Sequence, residues 1–323
     1  MESFAFIVSP ITIKQLKSFW SILRIKNLAP FKVLHIKRIK SIQGKEIQGY
    51  LIICPGPLVE DFILDKIFAA GHLAEKLGVR ILGLGDFVAA VADKEYKTLT
   101  KSLKMPVTSG NALVAWSVFE AIYRLTRARN IALKKSTLAI IGATSSVGNL
   151  CTRKLSEYIS KIIITSKDKD KLEQLKETTL HLNSIELIME EDAYKAVQDA
   201  DIVINTDNLQ EKLFDIGKLK PNSIFCDVSL RYNISDKSEL RQDITFIQAG
   251  LIKLPYPDRL GIKNGLPKGI TYASLAETML LVFEEKFVDY SLGENVNLDK
   301  LEEIADIAVQ HGFEVWVPEA PVL

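Results

Sequence analysis

The apolar run Leu138–Ile141 stops at Gly142, and the pattern reopens at Gly148; the stretch reads LAIIGATSSVG. Consecutive apolar residues without polar alternation predict a strand buried on both faces, followed by a tight turn into a helix. Beyond it, short apolar runs alternate with helical spacing. KIIIT (161–165) precedes the charged helix DKDKLEQLKE, then come a strand near 185–189, the helix EDAYKAVQ, and the strands ADIVIN, SIFCDVS and DITFIQAG. That order predicts an α/β fold, a doubly wound parallel Rossmann sheet with helices on both faces.

The chain before this sheet carries a different pattern. FAFIV (4–8), FKVLHIKRIKSI (31–42) and KEIQGYLIICPG (45–56) read as strands, with a hairpin turn at Gln43-Gly44 and a stop at Pro55-Gly56-Pro57. From Leu58, helical spacing places Phe62, Ile63, Ile67, Leu73, Ala74 and Leu77 on one face until Gly78, and VRILGLGDF then predicts a short strand entering a glycine loop. Thr108, Ser109, Gly110 and Asn111 precede a long apolar-periodic helix, whose late arginines Arg124, Arg127 and Arg129 suit its negative pole. Near the end, LPKGITYASLAETMLLVFEEKF and NLDKLEEIADIAVQHGF each predict a helix, the first burying Leu275, Met279, Val282 and Phe283. We therefore expect a mixed α/β N-terminal domain over 1–134 that ends in a linking helix and holds substrate or a partner. A nucleotide-binding domain over 135–255 follows, and a C-terminal helical segment, 256–323, packs back on the first.

Composition narrows the class. With 323 residues, 47% hydrophobic and 25% charged, the chain falls in the globular range, and a net charge of +1 argues against bulk nucleic-acid binding. Between Met1 and Tyr50, however, Lys14, Lys17, Arg24, Lys26, Lys32, Lys37, Arg38, Lys40 and Lys45 face only Glu2 and Glu46. Such a basic stretch suits a solvated face, an acidic partner or a phosphorylated substrate. Cys54, Cys151 and Cys226 are scattered without a CxxC, as in a reducing compartment. Neither a signal peptide nor a transmembrane segment is indicated, so a cytoplasmic location is expected. His35, His72, His181 and His311 have no ligand spacing, and no metal site is expected.

The chemistry concentrates at the glycine turn. Gly142 lets the chain turn off the strand, Gly148 lets helix and strand pack closely, and the helix N-terminus presents N–H groups to a phosphate. Ala143, Thr144, Ser145, Ser146 and Val147 complete the turn, with Ser145 where the dinucleotide fingerprint has its middle glycine. At the ends of the following strands, Asn205, Thr206, Asp227 and Gly250 should gather with it. After the second strand come Ser166 and Lys167, a hydroxyl and an ammonium that favour the 2′-phosphate of NADP(H) over NAD(H), although Asp168 and Asp170 lie close by. In the last segment Ser274 and Glu277 stand three apart, a spacing that fits a capping box as well as a catalytic pair.

KSIQGKEIQGYLI, MPVTSGNALVAW, IIGATSSVGNL, IIITSKDKDKLEQL, YASLAETMLLVFE and IADIAVQHGF occur in that order along almost the whole chain. In this combination the sequence resembles the long-chain acyl-ACP reductases of cyanobacteria and their relatives, predicted amino-acid dehydrogenases with a shikimate-dehydrogenase-like Rossmann domain. The resemblance implies an NADPH-dependent reductase that takes a fatty acyl thioester, delivered by an acidic acyl carrier protein, to an aldehyde through a cysteine-bound acyl group. It assigns the family's TTGN motif to Thr108, Ser109, Gly110 and Asn111, as substrate and catalytic positions, and its GATG stretch to Gly142–Ser145.

The departures decide what is open. Where the family reads roughly FACFAE, this chain reads YASLAE, so Ser274 stands at the nucleophile position, and Leu113 stands where a histidine follows TTGN. A serine needs a general base, for which Glu277 is the candidate, and an oxyester is a poorer hydride acceptor than a thioester. Three readings remain: direct hydride transfer to a carbonyl or related small substrate, reduction of a long-chain acyl thioester, and a non-catalytic nucleotide- or partner-binding relative. Ser274, Glu277 and Asn111 are the candidate catalytic residues in the first two.

Overall fold

The apolar runs become strands, and the strands form separate sheets. The computed structural model describes residues 1–8, 31–54, 60–207, 215–228, 241–256, 266–293 and 296–317. Lys14, Lys17, Arg24, Lys26 and the Pro55-Gly56-Pro57 stop lie outside them, as do the side chains of Lys37, Phe62 and Ile63. The chain divides into two units, 1–113 with 251–314, and 114–250 with the end of the chain.

In the first unit the chain runs through β1 (Ser3–Val8), β2 (Lys32–Lys40), β3 (Glu46–Ile53), α1 (Glu60–Lys76), β4 (Ile81–Leu84), α2 (Asp86–Lys94), α3 (Tyr96–Ser102) and β5 (Val107–Thr108). The sheet order is β2-β3-β1-β4-β5. β2 and β3 pair antiparallel around a turn in which Gly44 takes a φ of 82°, as the Gln43-Gly44 signal predicts, and the remaining neighbours are parallel. Every residue of β1 is buried, which is why FAFIV shows no alternation.

Helix α4 (Asn111–Ala128) begins after Ser109 and Gly110 and continues into the second unit. There follow β6 (Thr137–Ile141), α5 (Ser146–Leu155), β7 (Lys161–Thr165), α6 (Lys169–Leu182), β8 (Glu186–Met189), α7 (Ala193–Val197), β9 (Ile202–Asn205), β10 (Ile224–Asp227) and β11 (Thr245–Gln248). All six strands are parallel, in the order β11-β10-β9-β6-β7-β8. Counted from β6 this is 3-2-1-4-5-6, the order of the Rossmann fold, and it reverses between β6 and β9. Ala139, Ile141, Val203 and Phe225 of this sheet share a core with Ala196 and Val197 of α7.

The chain then returns to the first unit through β12 (Leu251–Lys253), β13 (Ile270–Tyr272), α8 (Ala273–Phe283), α9 (Leu298–Gln310) and β14 (Glu314–Val315). The three strands form a small sheet, β13-β12-β14, that the sequence pattern does not announce, because runs of two or three residues carry no periodicity. All 11 residues of α8 are buried, against β1, β3 and β4 among others. A helix apolar on every side belongs inside a core, and the polar exceptions Ser274, Glu277 and Thr278 therefore need partners.

Candidate functional site

Two clusters of polar groups stand out, one in each unit. In the second unit β6 delivers the chain to Gly142, whose φ of 74° only glycine adopts readily. A Cβ there would lie 2.9 Å from the Asp207 nitrogen, and one on Gly148 would lie 2.5 Å from the Gly142 oxygen. Both glycines are thus required by close approach of backbone. Ser145 has taken over a different task from the glycine it replaces: it is the N-cap of α5, accepting from the Gly148 N–H at 3.0 Å and donating to Thr206 Oγ1 at 3.0 Å. Thr206 in turn donates to the Ile141 and Gly142 carbonyls, tying the β9 end to the turn across the point where strand order reverses.

The other expected residues stand at the carboxyl ends of the same sheet. The Thr144 and Ser166 hydroxyls lie 2.5 Å apart, and Lys167 is exposed beside them. Asp168, the acid that would favour NAD, caps α6 through the Lys171 N–H and faces the Lys171 ammonium at 3.6 Å. Asn205 donates to Asp227 at 2.9 Å, and the Gly250 N–H donates to Ser117 at 3.0 Å. For a nicotinamide dinucleotide the fit is favourable: the two glycines leave no Cβ at the turn, a capped helix N-terminus begins there, and hydroxyls and an ammonium follow β7.

In the first unit Gly110, with a φ of 78°, is pressed against α8: a Cβ on it would lie 2.3 Å from Ser274 Cα and 2.5 Å from Ser274 Cβ. Glu277 is fully buried and lies one turn along α8. Its Oε1 accepts from Thr108 Oγ1 and Ser291 Oγ, both at 2.5 Å, and its Oε2 accepts from the Leu113 N–H at 2.9 Å. Burial raises the Glu277 carboxyl above the ordinary range, opposed by the hydrogen bonds from Ser291, Thr108 and Leu113. The capping box is not formed: Tyr272 is the N-cap of α8 and its side chain does not cap the helix, and Glu277 turns to other segments. Among the described residues the Ser274 hydroxyl has no hydrogen-bond partner, although the residue is only 5% exposed; its carbonyl accepts from Thr278.

Asn111 is committed elsewhere. Its amide nitrogen donates to Asp93 Oδ2 at 2.6 Å, Ser109 Oγ at 2.7 Å and the Ser291 carbonyl at 3.3 Å, while Ser109 donates to that same carbonyl. Asp93 Oδ1 accepts from the Gly293 N–H at 2.9 Å. Sequence reasoning missed Asp93 and Ser291, since an Asp near a helix end and a Ser in a loop read as solvated positions. The structure brings Thr108–Asn111, Ser274 and Glu277 together, and separately brings together the glycine turn, Ser166, Thr206 and the β9 and β10 ends. Cys54, Cys151 and Cys226 are buried, and burial pushes the Cys54 thiol up to about 11, the Cys151 thiol up to about 12 and Cys226 well above its usual value. All three are protonated near neutrality and poor nucleophiles. Among the described residues no helix is long and apolar enough to cross a membrane, and no group of three or more acidic, His or Cys side chains is placed to hold a metal.

With both clusters placed, comparison with known proteins extends the likeness seen in the motifs. The chain is similar to a long-chain acyl-acyl-carrier-protein reductase. That protein, from Synechococcus elongatus, is 23% identical over 317 residues, covering 92% of this chain and 89% of its own length. The aminotransferase PigE of a Serratia strain is 29% identical over 313 residues, but this chain spans only 35% of it. Among solved structures, L-tryptophan dehydrogenase from Nostoc punctiforme aligns over 96% of this chain and 80% of its own at 14% identity, with a TM-score of 0.43. No family model matches the chain.

Proposed function

We propose that this chain is a cytoplasmic oxidoreductase that binds NADP(H) in preference to NAD(H) and transfers hydride directly to or from a carbonyl or related small substrate, without a covalent acyl intermediate. The observation that carries this reading is the glycine turn at the strand-order reversal of a 3-2-1-4-5-6 sheet, where Gly142 and Gly148 tolerate no side chain. Bound there, the cofactor supplies or accepts the hydride. The chain's own residues bind and orient it: the α5 N-terminus and the turn face the pyrophosphate, and Ser166 and Lys167 face the 2′-phosphate. Engagement of Asp168 as a helix cap supports the NADP preference, because that carboxylate is turned to the α6 backbone. The Ser274 hydroxyl, without a hydrogen-bond partner among the described residues, is left to donate to a substrate oxygen.

Fluorescence titration with NADPH and NADH tests this. The expected result is tighter binding of NADPH, with the preference lost in Lys167→Glu. Equal affinity, unchanged by that substitution, refutes the assignment, and no binding of either points to a non-catalytic relative.

A second reading is favoured by the sequence similarity to the acyl reductase over nine-tenths of both chains. In it the substrate is a long-chain acyl thioester, brought by an acidic carrier protein to the basic N-terminal segment. Aldehyde produced from acyl-ACP and NADPH by the unaltered chain would favour this reading. Aldehyde appearing only in Ser274→Cys would show that a thioester step was lost with the sulfur.

A further inference from the structure

Glu277 spends both carboxylate oxygens on groups that lie outside its own helix. Three segments of the first unit converge on it: the end of β5 through Thr108, the first turn of α4 through the Leu113 N–H, and the segment after Tyr290 through Ser291. Asp93 ties two of the same segments from α2, with Asn111 on one oxygen and Gly293 on the other. Between these anchors lies Gly110, whose missing Cβ is what lets the turn touch Ser274. A general base would hold an oxygen within reach of the proton it removes. Glu277 instead has each oxygen directed to another donor, and the Ser274 hydroxyl bonds to none of the described residues.

We infer that Glu277 is a positioning residue: its buried carboxylate gathers Thr108, Leu113 and Ser291 onto one anchor and so fixes the Thr108–Gly110 turn against Ser274. The inference rests on the reading of Ser274 as a substrate-facing group. Glutamine can keep most of this arrangement, because its oxygen accepts from Leu113 while its amide donates to hydroxyls that can also accept. Alanine keeps none, and aspartate is one methylene short.

Hydrogen exchange of the 323-residue chain tests the anchor without a substrate. Glu277→Ala should speed exchange at the Leu113 amide by about tenfold or more, as loss of a hydrogen bond to a charged group implies. Peptides covering 287–293 should loosen with it, and Ser274→Ala should move neither. Unchanged protection at Leu113 in Glu277→Ala, or equal loosening in Ser274→Ala, overturns the inference. If Glu277→Ala does not fold, the pair Glu277→Gln and Glu277→Asp decides: Gln should keep the protection and Asp lose it, and identical behaviour overturns the anchor. Where NADPH-dependent turnover is measurable, Glu277→Asp should lower kcat while preserving the shape of the pH profile, and Glu277→Gln should retain most of it; loss of the acidic limb in Glu277→Gln would identify a base instead. Absence of cofactor binding removes the functional reading but leaves the exchange result standing.

Discussion

Single residues carry the sharpest expectations. Gly110 and Gly148 were legible as glycines at element boundaries, yet what each one touches is a property of the folded chain. Gly110→Ala places a methyl 2.3 Å from Ser274 Cα at a φ of 78°. Overpacking and a left-handed backbone together should cost about 2–4 kcal/mol, read as a lowered urea midpoint; a change within experimental error would show that α8 can yield. Glu277 gives a pH dependence with a definite sign. Burial raises its carboxyl, so the folded chain keeps this proton at a pH where the unfolded chain has lost it. Its contribution to stability therefore falls as pH rises from the ordinary carboxylate value through the raised one. Chemical denaturation from about pH 4 to about pH 8 should find Glu277→Gln gaining on the wild type as pH rises, and a constant difference would contradict the shift.

Helix starts separate sequence spacing from actual capping. Ser274 and Glu277 have the spacing of a capping box but do not form one, because the Glu277 side chain has better donors in three other segments. Ser145, by contrast, looked like a defect in the dinucleotide fingerprint and is the N-cap of α5. Ser145→Ala should cost about 1 kcal/mol, whereas Ser145→Gly should cost only a few tenths, since glycine is itself tolerated at an N-cap. Thermal unfolding of the two variants measures this; an alanine variant as stable as the glycine one would mean the cap contributes nothing. The hairpin at Gly44 and the strands of the Rossmann sheet were readable because each element had enough residues to show a period or an unbroken apolar run. The strands of the β12–β14 sheet were too short for either.

For the whole chain the division into units matters. Residues 251–314 belong with residues 1–113, so the first unit is assembled from both sides of the Rossmann sheet in sequence. A ligand that binds the native glycine turn should stabilise by mass action, by about 2.7 kcal/mol at a hundredfold excess over Kd. NADPH should accordingly raise the thermal midpoint of the wild type, and Gly142→Ala, which sets a methyl near the Asp207 nitrogen, should abolish the shift. A shift of equal size in that variant would place the cofactor elsewhere.

What the sequence determined by itself is what repeats or interrupts locally: buried runs, glycine turns, helix starts and the alternation that makes a doubly wound sheet. These depend on residues a few positions apart, whose apolar spacing and backbone sterics set the local element. Only the tertiary structure decided that Glu277 serves Thr108, Leu113 and Ser291, that Asp93 holds Asn111, and that Gly110 touches Ser274. Those partners lie from 14 to 169 residues from the groups they bind, and a hydrogen bond leaves no periodic trace at such separations.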